Sequence, residues 1–415
     1  MKELKITFLE LQKIFRSPVI VLLLLVFVGF NTFTIFSNAY WKDELKVLNQ
    51  IVETYGLFFN EESLKELEQD MVKKVTTIDP QAESIEDFLN QLTYEKYDVY
   101  EASDQKTIDE LSILYMYHHQ ASMLDERYEG LDIKALGEED IETYSLSGIA
   151  EELTLHQYKK LEKRFEEIVD QEEYKTWFFS GKAYRMHSQL FRELMSIIAI
   201  EGTILVVLMS AFIACYEREN RADLVTYSTK TGRRLMYKKW SASLLGTLIV
   251  SSLLFIVTLA IYFTVFDYSQ VWNSRVSSGL NWEYNLPYVT WYDLTITQYL
   301  ALAIIIITSV WLLISALSFG ISVFIQNSYL ATIFVYLLIV AMFVIPSLFT
   351  FSPLLLLLGH YNLTLLILNP HMYFNGLSGL TGHQHHEFIT LIIWLVISIM
   401  LVRISLNRFT RKDLV

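Results

Sequence analysis

The chain has 415 residues, a formal net charge of −13 and a single cysteine, Cys215, and 53% of its residues are hydrophobic. A mean hydropathy of +0.32 is high for a water-soluble domain. The apolar residues gather in runs near the ~20 residues that a helix needs to cross a bilayer. One thiol cannot form an internal disulfide, which excludes a disulfide-stapled domain. The composition is therefore typical of an integral membrane protein.

The charges are divided unevenly along the chain. Residues 41–190 hold about 34 acidic against about 16 basic residues, whereas the rest of the chain holds about 12 and about 17. This pattern indicates an acidic block in water on one side of the membrane and basic residues close to the bilayer on the other. A nucleic-acid partner is not expected, because that would need clustered Lys and Arg away from the bilayer.

The first 17 residues form a predicted amphipathic helix. Leu4, Phe8, Leu11 and Phe15 recur at helical spacing, which predicts an interfacial helix at residues 1–17, lying on the membrane surface. Pro18 then breaks the helix, and the first transmembrane helix is predicted at residues 18–40. A cleaved signal peptide is the alternative, but the apolar run is long for one.

The acidic region at residues 41–190 is polar and rich in helical periodicity. The sequence Asn60-Glu61-Glu62-Ser63 marks the start of a helix, and further periodicity covers residues 107–124 and 149–177. No strand alternation is evident in this region. We predict a mostly α-helical domain whose last helix continues into the second span.

Five further transmembrane helices are predicted within residues 191–415, at residues 194–216, 242–266, 296–324, 329–351 and 388–406. Lys and Arg concentrate at both chain ends and in the segment between the second and third of the six spans, so the positive-inside rule places these parts in the cytoplasm. The domain at 41–190 is then extracytoplasmic. Residues 352–370 are apolar but interrupted, which predicts an outer hairpin of two short helices. The predicted fold class is an all-α integral membrane protein with six transmembrane helices.

Residues 217–239 form the most informative segment, ERENRADLVTYSTKTGRRLMYKK. Its first half has the length and charge of a cytoplasmic helix pressed against the inner membrane surface. Gly232 is predicted to take a left-handed helix cap, and the arginine pair that follows it is predicted to reach the last helix carbonyls or lipid phosphates.

This segment resembles the coupling helix of type-2 ABC exporter permeases, in which a Glu-x-Glu pair, a Leu-rich turn, Ser-Thr and Gly-Arg precede a lysine and the third span. The pair Asn369-Pro370 before the last span resembles the family as well, and the resemblance covers both membrane portions, roughly 60% of the chain. The large domain after the first span departs from the minimal family pattern. The residues at matching places are Glu217, Glu219, Leu224, Ser228, Thr229, Gly232, Arg233 and Lys238.

The resemblance implies a permease subunit that is driven by a separate ATPase. Two ATPase copies would dock on the coupling helices of two permease chains, and cargo would pass along the second and fifth spans. ATP and Mg²⁺ would bind the ATPase, with no cofactor in this chain. The chain has no Gly-x-x-x-x-Gly-Lys-Ser/Thr loop, since Ser180-Gly181-Lys182 lacks the upstream glycine, so it is not expected to be an enzyme. The expected location is the bacterial plasma membrane, in contact with lipid.

The expected cargo is amphiphilic: an antimicrobial peptide, a bacteriocin or a drug-like lipid. The motivation is an aromatic-rich loop at residues 268–299 together with an acidic domain that suits cationic peptides. Ion or lipid export stays open. The rival hypotheses are a membrane-anchored sensor or scaffold whose outer domain binds a partner, and an intramembrane enzyme, which the lack of a catalytic constellation disfavours.

Two further groups are candidates for chemistry. Glu201 lies inside the second predicted span, where a carboxylate is a candidate for the substrate path; the alternative is a hydrated side chain bonded to Thr203 or Ser196. A cluster of three histidines and one glutamate precedes the last span, but its short spacing on a loop favours a solvated tip over a metal site. These residues are His383, His385, His386 and Glu387.

Overall fold

The protein is a helical membrane protein. A computed structural model describes residues 2–82, 84–180, 185–229, 232–283 and 285–411, with side chains from residue 5 onward. Among these residues, six helices are long and apolar enough to cross a membrane. We number them as the first to sixth spans: Pro18–Ser37, Ser188–Glu219, Gly232–Val265, Ile296–Ile325, Ser328–Phe351 and His386–Arg411. The prediction of a helical membrane protein with six candidate spans is confirmed.

The first helix, α1, spans Lys2–Phe15 and is separated from the first span by a break at residues 16 and 17. Pro18 occupies the first turn of the first span, where its missing N–H costs no hydrogen bond. Ile14 is fully buried. The helix α1 therefore packs against the membrane helices through one face.

A polar helical domain follows the first span. The side chain of Asn60 accepts a hydrogen bond from the backbone N–H of Ser63 at 2.9 Å, which caps the helix Glu61–Ile78. Its residues Leu67, Met71 and Val75 recur every four positions and are buried, as expected of one face of a helix. The helices of this domain are α2 Lys42–Tyr55, α3 Glu61–Ile78, α4 Ile85–Gln91, α5 Tyr94–Tyr97, α6 Ala102–Ser122, α7 Leu124–Glu129, α8 Ile133–Thr143 and α9 Ile149–Asp170.

The prediction that the last helix of this domain continues into the second span is wrong. Helix α9 ends at Asp170, and the backbone N–H of Trp177 instead donates to the carbonyl of Leu57 at 3.0 Å. Phe178 and Phe179 are buried together with Trp177. Phe58 and Thr176 form an antiparallel bridge and residues 175–180 contain no helix, so this segment runs into the polar domain beside residues 57–59.

The polar domain is fixed to two loops that join the membrane spans. One is residues 267–295, which contains a short hairpin of β1 Trp282–Glu283 and β2 Leu286–Pro287; the other is residues 369–385. The backbone N–H of Gly279 donates to the carbonyl of Tyr174 at 2.9 Å, and Gly376 packs so closely that a Cβ there would lie 2.2 Å from Leu161. We call the polar domain and these two loops the cap.

The second span lies at the centre of the membrane helices. It packs against the third and fourth spans through small side chains, which let helix backbones approach closely. Ser210, Ser243 and Ser315, one from each span, form a triangle of hydrogen bonds at 2.8–2.9 Å. Gly202 faces the ring of Trp311 on the fourth span, where any Cβ would collide. In the most apolar 18-residue stretch of each helix, 72% of the residues are buried in the second span and 17% in the first, which faces outward.

Two short helices connect the fifth and sixth spans on the cap side, α11 at Pro353–Gly359 and α12 at Leu363–Leu368. The hydroxyl of Thr364 donates to the carbonyl of Ile339 on the fifth span at 3.0 Å. The break at residues 360–362 turns the chain back on itself. These helices therefore pack beside the spans instead of crossing as a seventh.

Candidate functional site

The loop between the second and third spans is the candidate site. The second span ends at Glu219, Arg221 adopts a positive φ of 56°, and the five-residue helix α10 follows at Asp223–Tyr227. We call residues 220–234, which include the first residues of the third span, the inner loop. Of the predicted coupling segment, residues 230 and 231 lie outside the described residues. The predicted cytoplasmic helix therefore does not begin at Glu217, because the second span continues to Glu219, and the described part of the loop contains α10 and a short 3-10 helix at Gly232–Arg234.

Two adjacent apolar side chains lie exposed at the tip of the inner loop. Leu224 is 62% exposed and Val225 is 76% exposed, and both belong to α10. Tyr227, on the same short helix, turns inward and is buried. Exposed apolar side chains on the spans face lipid, but these two lie on a loop. Leu224 and Val225 therefore form a small exposed apolar surface on α10.

The inner loop is tied to the sixth span. Arg233 donates from Nη1 to the carbonyl of Thr410 at 2.8 Å, and the ring of Tyr227 meets that of Phe409 edge to face at 5.0 Å. Gly232 begins a short 3-10 helix, so the predicted left-handed cap is wrong. The glycine is needed for close approach, since a Cβ there would lie 2.2 Å from the carbonyl oxygen of Thr226. Arg233 does reach a carbonyl near the end of a helix, but that helix is the sixth span.

The other polar positions of the predicted coupling segment make local bonds. The hydroxyl of Ser228 donates to the carbonyl of Val225 at 3.1 Å, and that of Thr229 to the carbonyl of Thr226 at 2.8 Å. Both residues are exposed. They therefore close the turn after α10.

Glu217 lies in a buried cluster of four charges. Lys239 is fully buried, pairs with Glu217 and donates to the carbonyl of Ile213 at 2.6 Å. Lys13 on α1 contacts Glu10 at 2.6 Å and Glu217 at 2.8 Å. Two positive and two negative charges balance, which is how buried ions are tolerated. The cluster joins α1 to the inner ends of the second and third spans.

The ammonium of Lys13 stays charged in this cluster. Burial lowers the pKa of Lys13, but its hydrogen bonds and attraction to Glu10 and Glu217 outweigh that effect and raise the pKa above the usual value. Its side chain also lies over the ring of Tyr216, at 4.7 Å from the centroid. The first helix is therefore held by charge as well as by packing.

Sequence reasoning singled out Lys238 and missed its neighbour Lys239, which is the buried one. Lys239 follows the helical spacing of the buried face of the third span, with Met236 before it and Ser243 and Val250 after it. A lysine at an interior position of an otherwise apolar and small-residue face was the signal that could have identified it.

Glu219 joins the second span to the fifth. Its Oε1 accepts a hydrogen bond from the backbone N–H of Ser328 at 2.7 Å, at the first residue of the fifth span. A carboxylate at a helix N-terminus is favoured by the unpaired N–H groups and the helix dipole. The two glutamates of the predicted motif thus differ, with Glu217 enclosed and Glu219 at the surface.

Glu201 is buried between three spans. Its Oε2 accepts from Nδ2 of Asn31 on the first span at 2.8 Å, and the same amide nitrogen lies 3.4 Å from the hydroxyl of Thr258 on the third span. Thr203 and Ser196, the partners considered from sequence, bond to backbone carbonyls instead. Asn31 was missed because a single amide in an apolar run gives little sequence signal.

The predicted solvated tip at the start of the sixth span is wrong, because His383, His386 and Glu387 are buried and each contacts a different partner. His383 contacts the hydroxyl of Tyr361 through Nδ1 at 3.3 Å, and Nε2 of His386 lies 3.1 Å from the carbonyl of His360. Glu387 accepts from the backbone N–H of Phe374 at 2.7 Å. Within the described part of the chain, no three His, Cys, Asp or Glu side chains are grouped so as to hold a metal ion.

No protein-family model matches the chain, and neither a curated protein nor a solved structure matches it. The spans define the class, a multi-pass helical membrane protein.

Proposed function

We propose that the chain is the permease subunit of an ATP-binding cassette exporter and that a separate ATPase binds the inner loop. The observation that carries the proposal is the exposed pair Leu224 and Val225 at the tip of a loop tied to other spans. A passive membrane anchor has no need of such a tip. Leu224 occupies the place that the resemblance gives to the leucine of the coupling helix.

The ties of the inner loop support a role in transmitting force. Arg233 joins the loop to the sixth span, Glu219 joins the adjoining helix end to the fifth span, and Glu217 joins it to α1 and the third span. A displacement of α10 by a bound ATPase would therefore be transmitted to most of the membrane helices. Coupling of this kind needs a contiguous set of packed and bonded elements, which these residues supply.

The proposed assembly contains two permease chains and two ATPases, which hold ATP and Mg²⁺. The fifth span presents an exposed apolar face that includes Leu330, Phe334 and Leu337, and this face is available to a second permease. The second span, proposed with it to line the cargo path, is mostly enclosed by its own chain in this conformation. The path would then open only when the spans move, which agrees with a transporter driven by ATP.

The proposed orientation puts the inner loop and both chain ends in the cytoplasm of a bacterial cell, with the cap outside. Lys and Arg enrichment near the inner loop supports this orientation. The acidic polar domain would meet an amphiphilic, cationic cargo such as an antimicrobial peptide or bacteriocin, by charge complementarity.

Val225→Asp tests the proposal. A charge in an apolar contact should weaken ATPase binding, so ATP hydrolysis that co-purifies with the permease should fall roughly tenfold. Val99→Asp is the matched control, because Val99 is 84% exposed but belongs to the polar domain. The measurement is vanadate-sensitive hydrolysis by the complex purified from native membranes.

Parent-level hydrolysis in the Val225→Asp complex, at equal permease yield, would remove the support for docking at the inner loop. An absence of co-purifying ATP hydrolysis from the parent as well would favour the sensor or scaffold, in which the polar domain binds a partner and the spans only hold it.

A further inference from the structure

A cleft of about 560 Å³ opens between α1, the start of the first span and the inner end of the second span. The first span begins at Pro18 and the second ends at Glu219, so the cleft lies where the two helices leave the apolar layer. Its volume falls in the range of small-molecule sites. The residues around it include Leu9, Glu10, Lys13, Arg16, Phe212 and Tyr216.

One side of the cleft is positively charged. Arg16 is exposed, and within the described residues no acceptor contacts its guanidinium. Lys13 uses its ammonium on two carboxylates, those of Glu10 and Glu217. An ammonium has three N–H donors, so one is left for a further acceptor. The charges of Lys13, Lys239, Glu10 and Glu217 balance, so the net positive charge of the cleft comes from Arg16.

The N-terminus of the first span adds to this positive charge. Ser17 precedes the helix and makes no side-chain cap, and Pro18 opens its first turn. The span is 20 residues long, so its dipole and free N–H groups favour an anion at this end. The arginine, the lysine and the helix end therefore converge on one place.

The opposite side of the cleft is apolar. The rings of Phe212 and Tyr216 meet edge to face at 5.4 Å and form an aromatic wall that descends along the second span. Leu9 on α1 faces the same cleft and is 57% exposed. A ligand that fits both sides carries a negative charge at one end and an alkyl chain at the other.

We propose that this cleft binds one anionic glycerophospholipid of the leaflet on the side of the chain ends. Its phosphate lies against Arg16, Lys13 and the first-span N-terminus, and an acyl chain lies along Phe212 and Leu9. A membrane lipid is the occupant because the cleft opens at the depth of the headgroups and its apolar wall continues toward the bilayer interior. Basic residues at this depth attract anionic lipids. The bound lipid would hold α1 against the second span, and this inference stands whether or not the chain is an exporter.

Arg16→Gln tests the charged side. The full-length protein, delipidated in detergent, is titrated with phosphatidylglycerol or phosphatidylcholine, and bound lipid is counted by native mass spectrometry. Loss of one basic contact should reduce phosphatidylglycerol affinity roughly fivefold and leave phosphatidylcholine binding unchanged. Arg403→Gln removes an exposed arginine from the sixth span and is the matched control. Equal phosphatidylglycerol affinity for Arg16→Gln and the parent overturns the site, and so does equal affinity of the parent for the two lipids.

Leu9→Ser tests the apolar side, with Phe8→Ser as its control, because Phe8 is 59% exposed on the same helix but lies outside the cleft. The cleft substitution should weaken phosphatidylglycerol binding severalfold and the control should not. The last experiment asks whether soluble glycerol 3-phosphate displaces the bound phosphatidylglycerol. If it displaces the lipid at millimolar concentration, the cleft is a phosphate site and the lipid assignment fails; if it does not, the acyl chain contributes to binding as proposed.

Discussion

The cap and the inner loop are built in opposite ways. The cap buries consecutive aromatic residues and joins its polar domain to the span-connecting loops through backbone hydrogen bonds, such as that from Gly279 to Tyr174. The inner loop has one five-residue helix, an exposed apolar tip and ties made by side chains such as Arg233. The difference is that the cap is fixed to the span-connecting loops by its backbone and its buried side chains, whereas the inner loop leaves Leu224 and Val225 exposed.

A buried ion pair also holds the polar domain of the cap against the loop at residues 267–295. Arg164 on α9 bonds both carboxylate oxygens of Glu173, at 2.9 and 2.7 Å, and donates from Nε to the carbonyl of Thr290. Ser277 donates to the same carboxylate at 3.0 Å. One arginine therefore links the polar domain to the loop at residues 267–295. The charge cluster around Lys239 is its counterpart near the inner loop.

The largest effect is expected from Lys239→Met. Removing one positive charge leaves two buried carboxylates with one ammonium, which should lower the free energy of unfolding by about 3–5 kcal/mol. Thermal unfolding in nanodiscs measures it. Lys5→Met, at an exposed position of α1, is the control and should have little effect. The double variant Lys239→Met with Glu217→Gln restores the balance and should recover part of the loss. A parent-like melting temperature for Lys239→Met would mean that the cluster does not hold the inner ends of the spans.

A smaller loss is expected from Arg164→Gln. The variant leaves Glu173 buried without its bidentate partner and should cost about 2 kcal/mol of stability. Hydrogen exchange should rise in α9 and in residues 274–281 together, while exchange in the inner loop stays unchanged. Lys134→Gln removes an exposed pair with Glu138 at 3.7 Å and should change stability by less than about 0.5 kcal/mol. Faster exchange confined to α9 would show that the polar domain and the loop are not fixed to each other.

The smallest effect is a pH dependence at His187, which lies just before the second span in contact with Tyr268. Burial lowers the pKa of His187 to about 3. The unfolded chain takes up this proton below its ordinary pKa of ~6.5 and the folded protein does not, so the stabilising contribution is complete above that pH and falls as pH decreases toward 3. The loss between pH 6.5 and 5.5 should be about 1 kcal/mol.

His187→Gln keeps a hydrogen-bonding side chain and removes the titration. Between pH 6.5 and 5.5, this variant should lose about 1 kcal/mol less stability than the parent. His156→Gln, at an exposed position of α9, is the control and should keep the slope of the parent. Identical slopes for His187→Gln and the parent would show that the histidine is not held neutral beneath the cap.

The spans were predictable from sequence because a long run of apolar residues by itself indicates a membrane-spanning helix. The docking of the cap was not, because Trp177 bonds to Leu57 and Gly279 to Tyr174 across more than a hundred positions of chain. Glu217 was predicted at the start of a cytoplasmic helix, whereas it lies on the second span, which continues to Glu219. Its burial could not be predicted, since that depends on Lys13 and Lys239 from two other elements. Local pattern identifies helices, whereas pairing between distant residues is decided by tertiary packing.

Cysteine labelling in intact cells tests most directly whether the two regions lie on opposite sides of the membrane. The native thiol, Cys215, is buried and is first replaced by alanine. A membrane-impermeant maleimide should label Val99→Cys in intact cells and Val225→Cys only after the cells are permeabilised. Labelling of Val225→Cys in intact cells would contradict the account, because a cytoplasmic ATPase could not then reach the inner loop.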